Sequence, residues 1–235
     1  MTSPLDKRPA AIQRMFTGIA ARYDLLNRLI SLGFDQSLRR QMIARLMERN
    51  PKKIADIGCG TGDVAILLAK AFPNSQIVAC DMTLAMIQVG KQRTQHPAIQ
   101  WVVCDSLYLP FENEKMDAII SAFLLRNVAD LAAVLLEQAR VTVLAGTFLT
   151  LETTPPPKTL LYPFIWLYYH TIIPLLGWLV AGNSAAYQYL PDSSLSFISA
   201  EQLSQAVADN GWQQARVDRR FLGVMAIHQA QKSPH

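Results

Sequence analysis

The chain predicts an α/β fold: a mostly parallel sheet with helices on both faces, closed by an antiparallel hairpin. Three observations carry this expectation. Short apolar runs alternate with helical patterns from residue 53 to residue 151, which implies right-handed crossovers between parallel strands. The first run ends in a glycine-rich turn, Ile54-Ala-Asp-Ile-Gly-Cys-Gly-Thr-Gly-Asp63, that opens a helix. Near the end of the chain, the runs Gln214 to Arg220 and Val224 to Gln229 are separated only by Phe221-Leu-Gly223, so they should pair as a hairpin.

The elements follow in order. Residues 10 to 49 read as a helical arm, with apolar positions at Ile12, Met15, Phe16 and Ile19 and again at Met42, Ile43, Leu46 and Met47. After the Asn50-Pro51 break, five candidate strands run from Lys53 to Ile57, Gln76 to Cys80, Ile99 to Cys104, Asp117 to Ala122 and Thr147 to Leu151. Helical spacing appears between them at Val64, Leu67 and Leu68, at Leu84 and Ile87, and at Leu131, Val134 and Leu135. Ser199-Ala-Glu-Gln202 is a capping box that opens a further helix, and Asn210-Gly211 stops it.

From Thr159 to Tyr187 there is no Asp, Glu, Lys or Arg. The stretch is long enough to cross a bilayer, but it carries Pro163, Pro174, Gly177 and His170 and lies between two segments of one predicted domain. A span would put those segments on opposite sides, so the stretch is expected to be an apolar lid. The chain then reads as a single domain over 1–235, with a helical arm at 1–50, a core at 51–153 and 196–235, and the lid at 154–195.

Composition narrows the function classes. Of 235 residues, 51% are hydrophobic and 17% charged, which excludes a disordered chain or a repetitive fibre. Three cysteines, Cys59, Cys80 and Cys104, do not make a disulfide framework and suit a reducing compartment, so the cytoplasm is the expected location. Their spacing lacks a close ligand pair, and no metal is expected. The net charge of +4 is skewed: residues 1 to 53 hold 11 Lys/Arg against 4 Asp/Glu. That excess would suit a nucleic acid or an anionic surface. Nucleic-acid surfaces interleave aromatic with basic residues, and the aromatic-rich stretch 159–187 offers no Lys or Arg, so no nucleic-acid partner is expected.

The glycine turn places Gly58, Gly60 and Gly62 where a backbone can approach a ligand. Position 63 is Asp, so the dinucleotide pattern fails, and no Gly-Lys-Ser/Thr follows for a phosphate loop. Three acids mark three strand ends: Asp56, two residues before the first glycine; Asp81, 19 residues after Gly62; and Asp105, followed by Ser106. A strand-end carboxylate such as Asp81 can accept both hydroxyls of a ribose. Taken singly, each Asp would serve as well as a helix N-cap. Together, acids and glycines describe a pocket for a nucleoside that carries positive charge, of which S-adenosylmethionine is one.

This arrangement resembles the class I methyltransferases, with their Rossmann-like sheet, over about residues 50 to 152 and the closing hairpin. The resemblance implies that the glycine turn, with Thr61, cradles the methionine part of the cofactor. It also implies that Asp81 holds the ribose, that Met82, Asp105 and Ser106 flank the adenine, and that Ala122 is a small cofactor-side residue. Outside this core, Tyr23-Asp-Leu-Leu-Asn-Arg-Leu-Ile-Ser31, Phe123-Leu-Leu-Arg-Asn-Val128, Arg140-Val141, Glu152, Tyr187-Gln-Tyr-Leu-Pro-Asp-Ser193 and Gly223-Val-Met-Ala-Ile-His228 resemble the ubiquinone/menaquinone C-methyltransferase family, in its order and over nearly the whole chain. The implied reaction is C-methylation of a dihydroxy aromatic, quinol-like acceptor. Arg126 is the implied catalytic residue, and Tyr23, Asn27, Asn127, His170, Tyr187 and Tyr189 are acceptor-pocket candidates.

The departures from that family fall near the acceptor. Asp35 and Leu38 replace a His and a Trp of its first motif, Leu124 stands where it has glycine, and Thr142-Val-Leu-Ala-Gly146 replaces its Leu-Lys-Pro-Gly-Gly turn. A divergent member with another small apolar acceptor is one alternative. The others are an RNA methyltransferase using the basic arm and a non-catalytic assembly protein. Homodimerisation and peripheral contact with a membrane are left open.

Overall fold

Ile54 and Ala55 are neighbours in sequence, yet they pack into different hydrophobic cores on opposite faces of one sheet. That two-residue alternation is what a strand covered on both sides requires. A computed structural model describes residues 7–173, 175 and 184–234, with the side chains of 184–188 and 190 outside the description.

Seven strands form the sheet: β1 (Lys53–Ile57), β2 (Gln76–Asp81), β3 (Ile99–Val103), β4 (Met116–Ala122), β5 (Thr142–Thr153), β6 (Trp212–Arg220) and β7 (Met225–Lys232). Their order is β3-β2-β1-β4-β5-β7-β6. The first five are parallel, while β7 runs antiparallel to both β5 and β6. The order reverses at β1, and ligands of open α/β sheets bind at such a switch, beyond the carboxyl ends of the strands.

Helices α4 (Asp63–Ala71), α5 (Leu84–Arg93) and α6 (Leu131–Val141) are the crossovers. The arm is three helices, α1 (Pro9–Ile19), α2 (Tyr23–Ile30) and α3 (Phe34–Ala44). Ile19, Leu26 and Met86 share a small core that fastens the arm to α5. Beyond β5 come α7 (Tyr162–Leu167), a π-helical turn (Tyr168–Ile172), α8 (Ser184–Leu195) and α9 (Ala200–Asp209). The capping box at Ser199 is fully formed, with Ser199 Oγ accepting from Gln202 N and Gln202 Oε1 from Ser199 N.

Several strand boundaries differ from expectation: β5 ends at Thr153 and β7 at Lys232, beyond Leu151 and Gln229, and two starts move as well. β5 begins at Thr142 rather than Thr147, because an irregularity at Met116/Ala118 realigns β4 and lets the divergent turn continue the strand. β6 begins at Trp212, which is fully buried with its ring centroid 4.9 Å from that of Phe148. Among the described residues no helix is long and apolar enough to cross a membrane.

Candidate functional site

Three adjoining spaces open at the carboxyl ends of β1 to β4. The first, about 850 Å³, is lined by Gly58, Gly60, Asp81, Met82, Asp105, Ser106 and Ala122, with Tyr23 and Asn127 at its edge. The second, about 1140 Å³, lies beneath α7 and the π turn and is lined by Asn27, Asp35, Arg126, Thr153 and apolar side chains. A third, about 290 Å³, joins Tyr23, Asp56, Gly60, Thr61 and Ala122. Phe123 lines both larger cavities and forms the wall between them.

The glycine turn follows from backbone sterics. Gly58 and Gly60 have φ +68° and +56°, a left-handed region that costs side chains dearly. An added Cβ at Gly58 would lie 2.8 Å from Leu124 Cδ1. The turn is also held from below, since Asp81 Oδ2 accepts from Gly60 N at 2.9 Å and Oδ1 from Thr83 N at 2.8 Å. Asp81 therefore caps local backbone and faces the cavity at the same time. Burial raises its pKa, while the two N–H bonds act against the shift.

Asp56 is 1% exposed, and neither carboxylate oxygen has a hydrogen-bond partner. Burial pushes its pKa up to about 7, against the pull of Arg39 and of the Ala65 N–H, which lies outside ordinary hydrogen-bond geometry. An unpartnered buried carboxylate beside a glycine cradle fits a ligand that brings a cation or an N–H donor. The described residues fit the methionine end of S-adenosylmethionine in this respect. Asp105 Oδ1 accepts from Leu107 N at 3.0 Å and shapes the loop over the same cavity. Cys59 and Cys80 are buried, as small apolar residues would be, whereas Cys104 is partly exposed, and Cys80 and Cys104 both line the first cavity. Among the described residues no group of His, Cys, Asp or Glu is placed to hold a metal ion.

A charged clamp joins the arm to the turn. Arg93 Nη1 lies 2.8 Å from Asp24 Oδ2 and donates to Thr61 O at 2.9 Å, while Nη2 reaches Asp63 Oδ1 at 2.6 Å. Thr61 Oγ1 donates to Asp24 at 2.5 Å. Burial alone would raise the Asp63 carboxyl, but Arg39, Arg93 and Arg28 together hold it below the usual range.

Arg126 sits on the short turn after β4, 4% exposed, with Nη1 3.4 Å from Glu152 Oε2 and Nε without a partner. Glu152 Oε1 also accepts from Leu125 N at 2.6 Å. Burial pushes Glu152 up to about 7, although Arg126 opposes this. Phe123 has φ +64°, and two guanidiniums lie over its ring, with Arg39 and Arg126 centred 5.2 and 5.1 Å from its centroid. Asn127 Nδ2 donates to Phe123 O at 2.9 Å, and Tyr189 OH donates to Asn127 Oδ1 at 3.0 Å. Tyr169 reaches the second cavity, and burial pushes its phenol up to about 12.

The expected residues do not all converge. Asn27 and Arg126 face the second cavity, while Tyr23 and Asn127 face the first. Tyr189 lines none of the three spaces and reaches the first only by its hydrogen bond to Asn127. Gly62 lines none of the three spaces: it makes room for Trp101, whose ring would meet an added Cβ at 2.4 Å. His170 is exposed, stacks on Trp166 at 4.2 Å and lines neither cavity, because the π turn points it outward. The Tyr187 side chain lies outside the described residues. Four contributors were not singled out from sequence as site residues: Phe123, Arg39, Thr153 and Asp35. Phe123 and Asp35 stand in motifs that were noticed, but only packing turns them toward the cavities.

Comparison with known proteins agrees with this geometry. Residues 2–232 match the model of the ubiE/COQ5 methyltransferase family. The ubiquinone/menaquinone biosynthesis C-methyltransferase UbiE of Desulfotalea psychrophila is 38% identical over 224 residues, 95% of this chain and 91% of that protein. The demethylmenaquinone methyltransferase of Thermus thermophilus is 37% identical over 216 residues, 91% of this chain and 98% of that one. Among solved structures, a SAM-dependent methyltransferase from Thermotoga maritima superposes with TM-score 0.65 at 15% identity, over 93% of this chain and all of that one, which speaks to the fold alone.

Proposed function

Because the chain belongs to the ubiE/COQ5 methyltransferase family, we propose that it C-methylates a dihydroxy aromatic, quinol-type acceptor in ubiquinone-, menaquinone- or phylloquinone-type biosynthesis. S-adenosylmethionine is the methyl donor. The observation that carries the acceptor side is the pair of adjoining cavities, one polar at its glycine turn and one largely apolar, divided by Phe123 with Arg126 on the acceptor side.

The cofactor supplies an electrophilic methyl on a sulfonium. Asp56 would meet its amino group, Asp81 its ribose hydroxyls, and Met82, Asp105 and Ser106 its adenine, all from the first and third spaces. The acceptor ring lies in the second cavity. A ring hydroxyl that gives its proton to solvent raises electron density at the adjacent carbon, which would attack the methyl in line. The carbon–carbon bond would form as the sulfur–carbon bond breaks with its electron pair passing to sulfur, and the ring carbon would then give its proton to solvent. Arg126 stabilises the phenolate as it forms, with Nε free to donate. Glu152 holds the guanidinium in place from behind. Asn27 Nδ2, also without a partner, donates to acceptor oxygen. Phe123 sets the approach of ring to methyl.

The test supplies methyl-labelled cofactor and a water-soluble 1,4-dihydroxynaphthalene, and locates the label by NMR. Label on a ring carbon is expected. Label on oxygen, or no transfer to any dihydroxy aromatic while cofactor binds, would overturn the reading.

A further inference from the structure

The mouth of the acceptor cavity is ringed by large apolar side chains that face water. Leu32, Leu161, Phe164 and Leu222 line the cavity and are also 65%, 46%, 71% and 61% exposed. They come from three separate places: the turn between α2 and α3, the entry to α7, and the β6–β7 turn. Leu32 and Leu222 hold φ of +52° and +56°, a region that leucine rarely adopts. The Phe34 and Phe221 rings, 4.8 Å apart, tie the first of these turns to the third. Single exposed apolar residues are ordinary, but a contiguous ring around a cavity mouth marks an interaction surface.

Basic side chains outnumber accessible acids around it, the exposed acid being Asp192, next to Pro191 of the cavity lining. From Thr154 to Pro191 the chain has no acid, and its one Lys or Arg is Lys158, exposed two residues before Leu160, which is itself 95% exposed. On the α2–α3 side Arg40 is exposed, whereas Asp35 is 1% exposed and turned inward. At the β6–β7 turn Asp218 is engaged by Arg45 and Arg220. Trp166, half-exposed beside His170, has the apolar body and polar edge that suit a headgroup layer.

We propose that this ring docks the protein on an anionic lipid bilayer, so that an apolar acceptor tail enters the cavity without crossing water. The docking stands on the surface itself; only the role of the tail rests on the acceptor assigned above.

Flotation of the full-length protein tests it, with vesicles of phosphatidylcholine alone or mixed with phosphatidylglycerol. The wild type should float with the anionic vesicles, and less so with the neutral ones or at ~0.5 M salt. The L160E/L167E variant changes two exposed residues that do not line the cavity. It should float about tenfold less and still methylate the water-soluble acceptor. K158E, a surface charge reversal that leaves packing alone, should lose the anionic preference and serves if the double variant fails to fold. The proposal is overturned if the wild type floats with no vesicle or if the variants float equally well. It is also overturned if light scattering shows a vesicle-free dimer that L160E/L167E dissociates, which would give the patch to a second copy. Failure to methylate the soluble acceptor would count against the enzymatic reading and leave the flotation result standing.

Discussion

The guanidinium of Arg126, on the turn after β4, and the carboxylate of Glu152, near the end of the adjacent β5, meet at 3.4 Å in the interior. Glu152 takes Nη1 and the Leu125 N–H, and Nε of Arg126 has no partner, on a residue that lines the second cavity. Arg126→Lys keeps the charge and loses the planar fork. Its kcat should fall about a hundredfold or more, with cofactor affinity nearly unchanged, in single-turnover methyl transfer at saturating cofactor. A near-normal rate would make the arginine a structural residue.

Asp81 holds the glycine turn and, in the function proposed above, the ribose of the cofactor as well. Asp81→Ala should weaken S-adenosylmethionine binding by about 30- to 150-fold, the loss of roughly 2–3 kcal/mol for hydrogen bonds to a charged acceptor. Calorimetry measures it, and unchanged affinity would remove the ribose assignment. A lower melting temperature should accompany the change, because the Gly60 and Thr83 N–H groups lose their partner.

Asp56 sets function against stability. Its folded pKa of about 7 stands above the ordinary carboxylate value, so between about pH 4 and 7 the folded state keeps a proton that the unfolded state has released. This group therefore makes stability fall as pH rises through that window. Asp56→Asn should reduce the fall, giving a denaturation midpoint above wild type at pH 8 and close to it at pH 4, while cofactor binding weakens. An unchanged pH profile would contradict the assignment.

Arg93 joins the arm to the cofactor turn through Asp24, Thr61 and Asp63. In Arg93→Ala the small core of Ile19, Leu26 and Met86 should be left to hold the arm. Limited proteolysis within residues 1–30 should quicken and KM for the cofactor should rise, with kcat less affected. Cleavage at the wild-type rate would show that the apolar contacts suffice.

Much of the fold was legible in the chain because local physics writes it there. Alternating apolar residues and glycine punctuation mark β1 to β4, and Ser199 with Gln202 marks the start of α9. The glycine turn was legible for the same reason, since Gly58 and Gly60 hold positive φ within three residues of one another. The acceptor side was decided by tertiary structure. Phe123 becomes a wall only because packing brings guanidiniums from α3 and the β4 turn over its ring, and His170 leaves the site because a π turn rotates it to solvent. Asp35 and Leu32, three residues apart, divide between a buried salt bridge and an exposed rim according to how α3 packs on α4. Long-range packing sets which face a residue shows, and no local propensity encodes it.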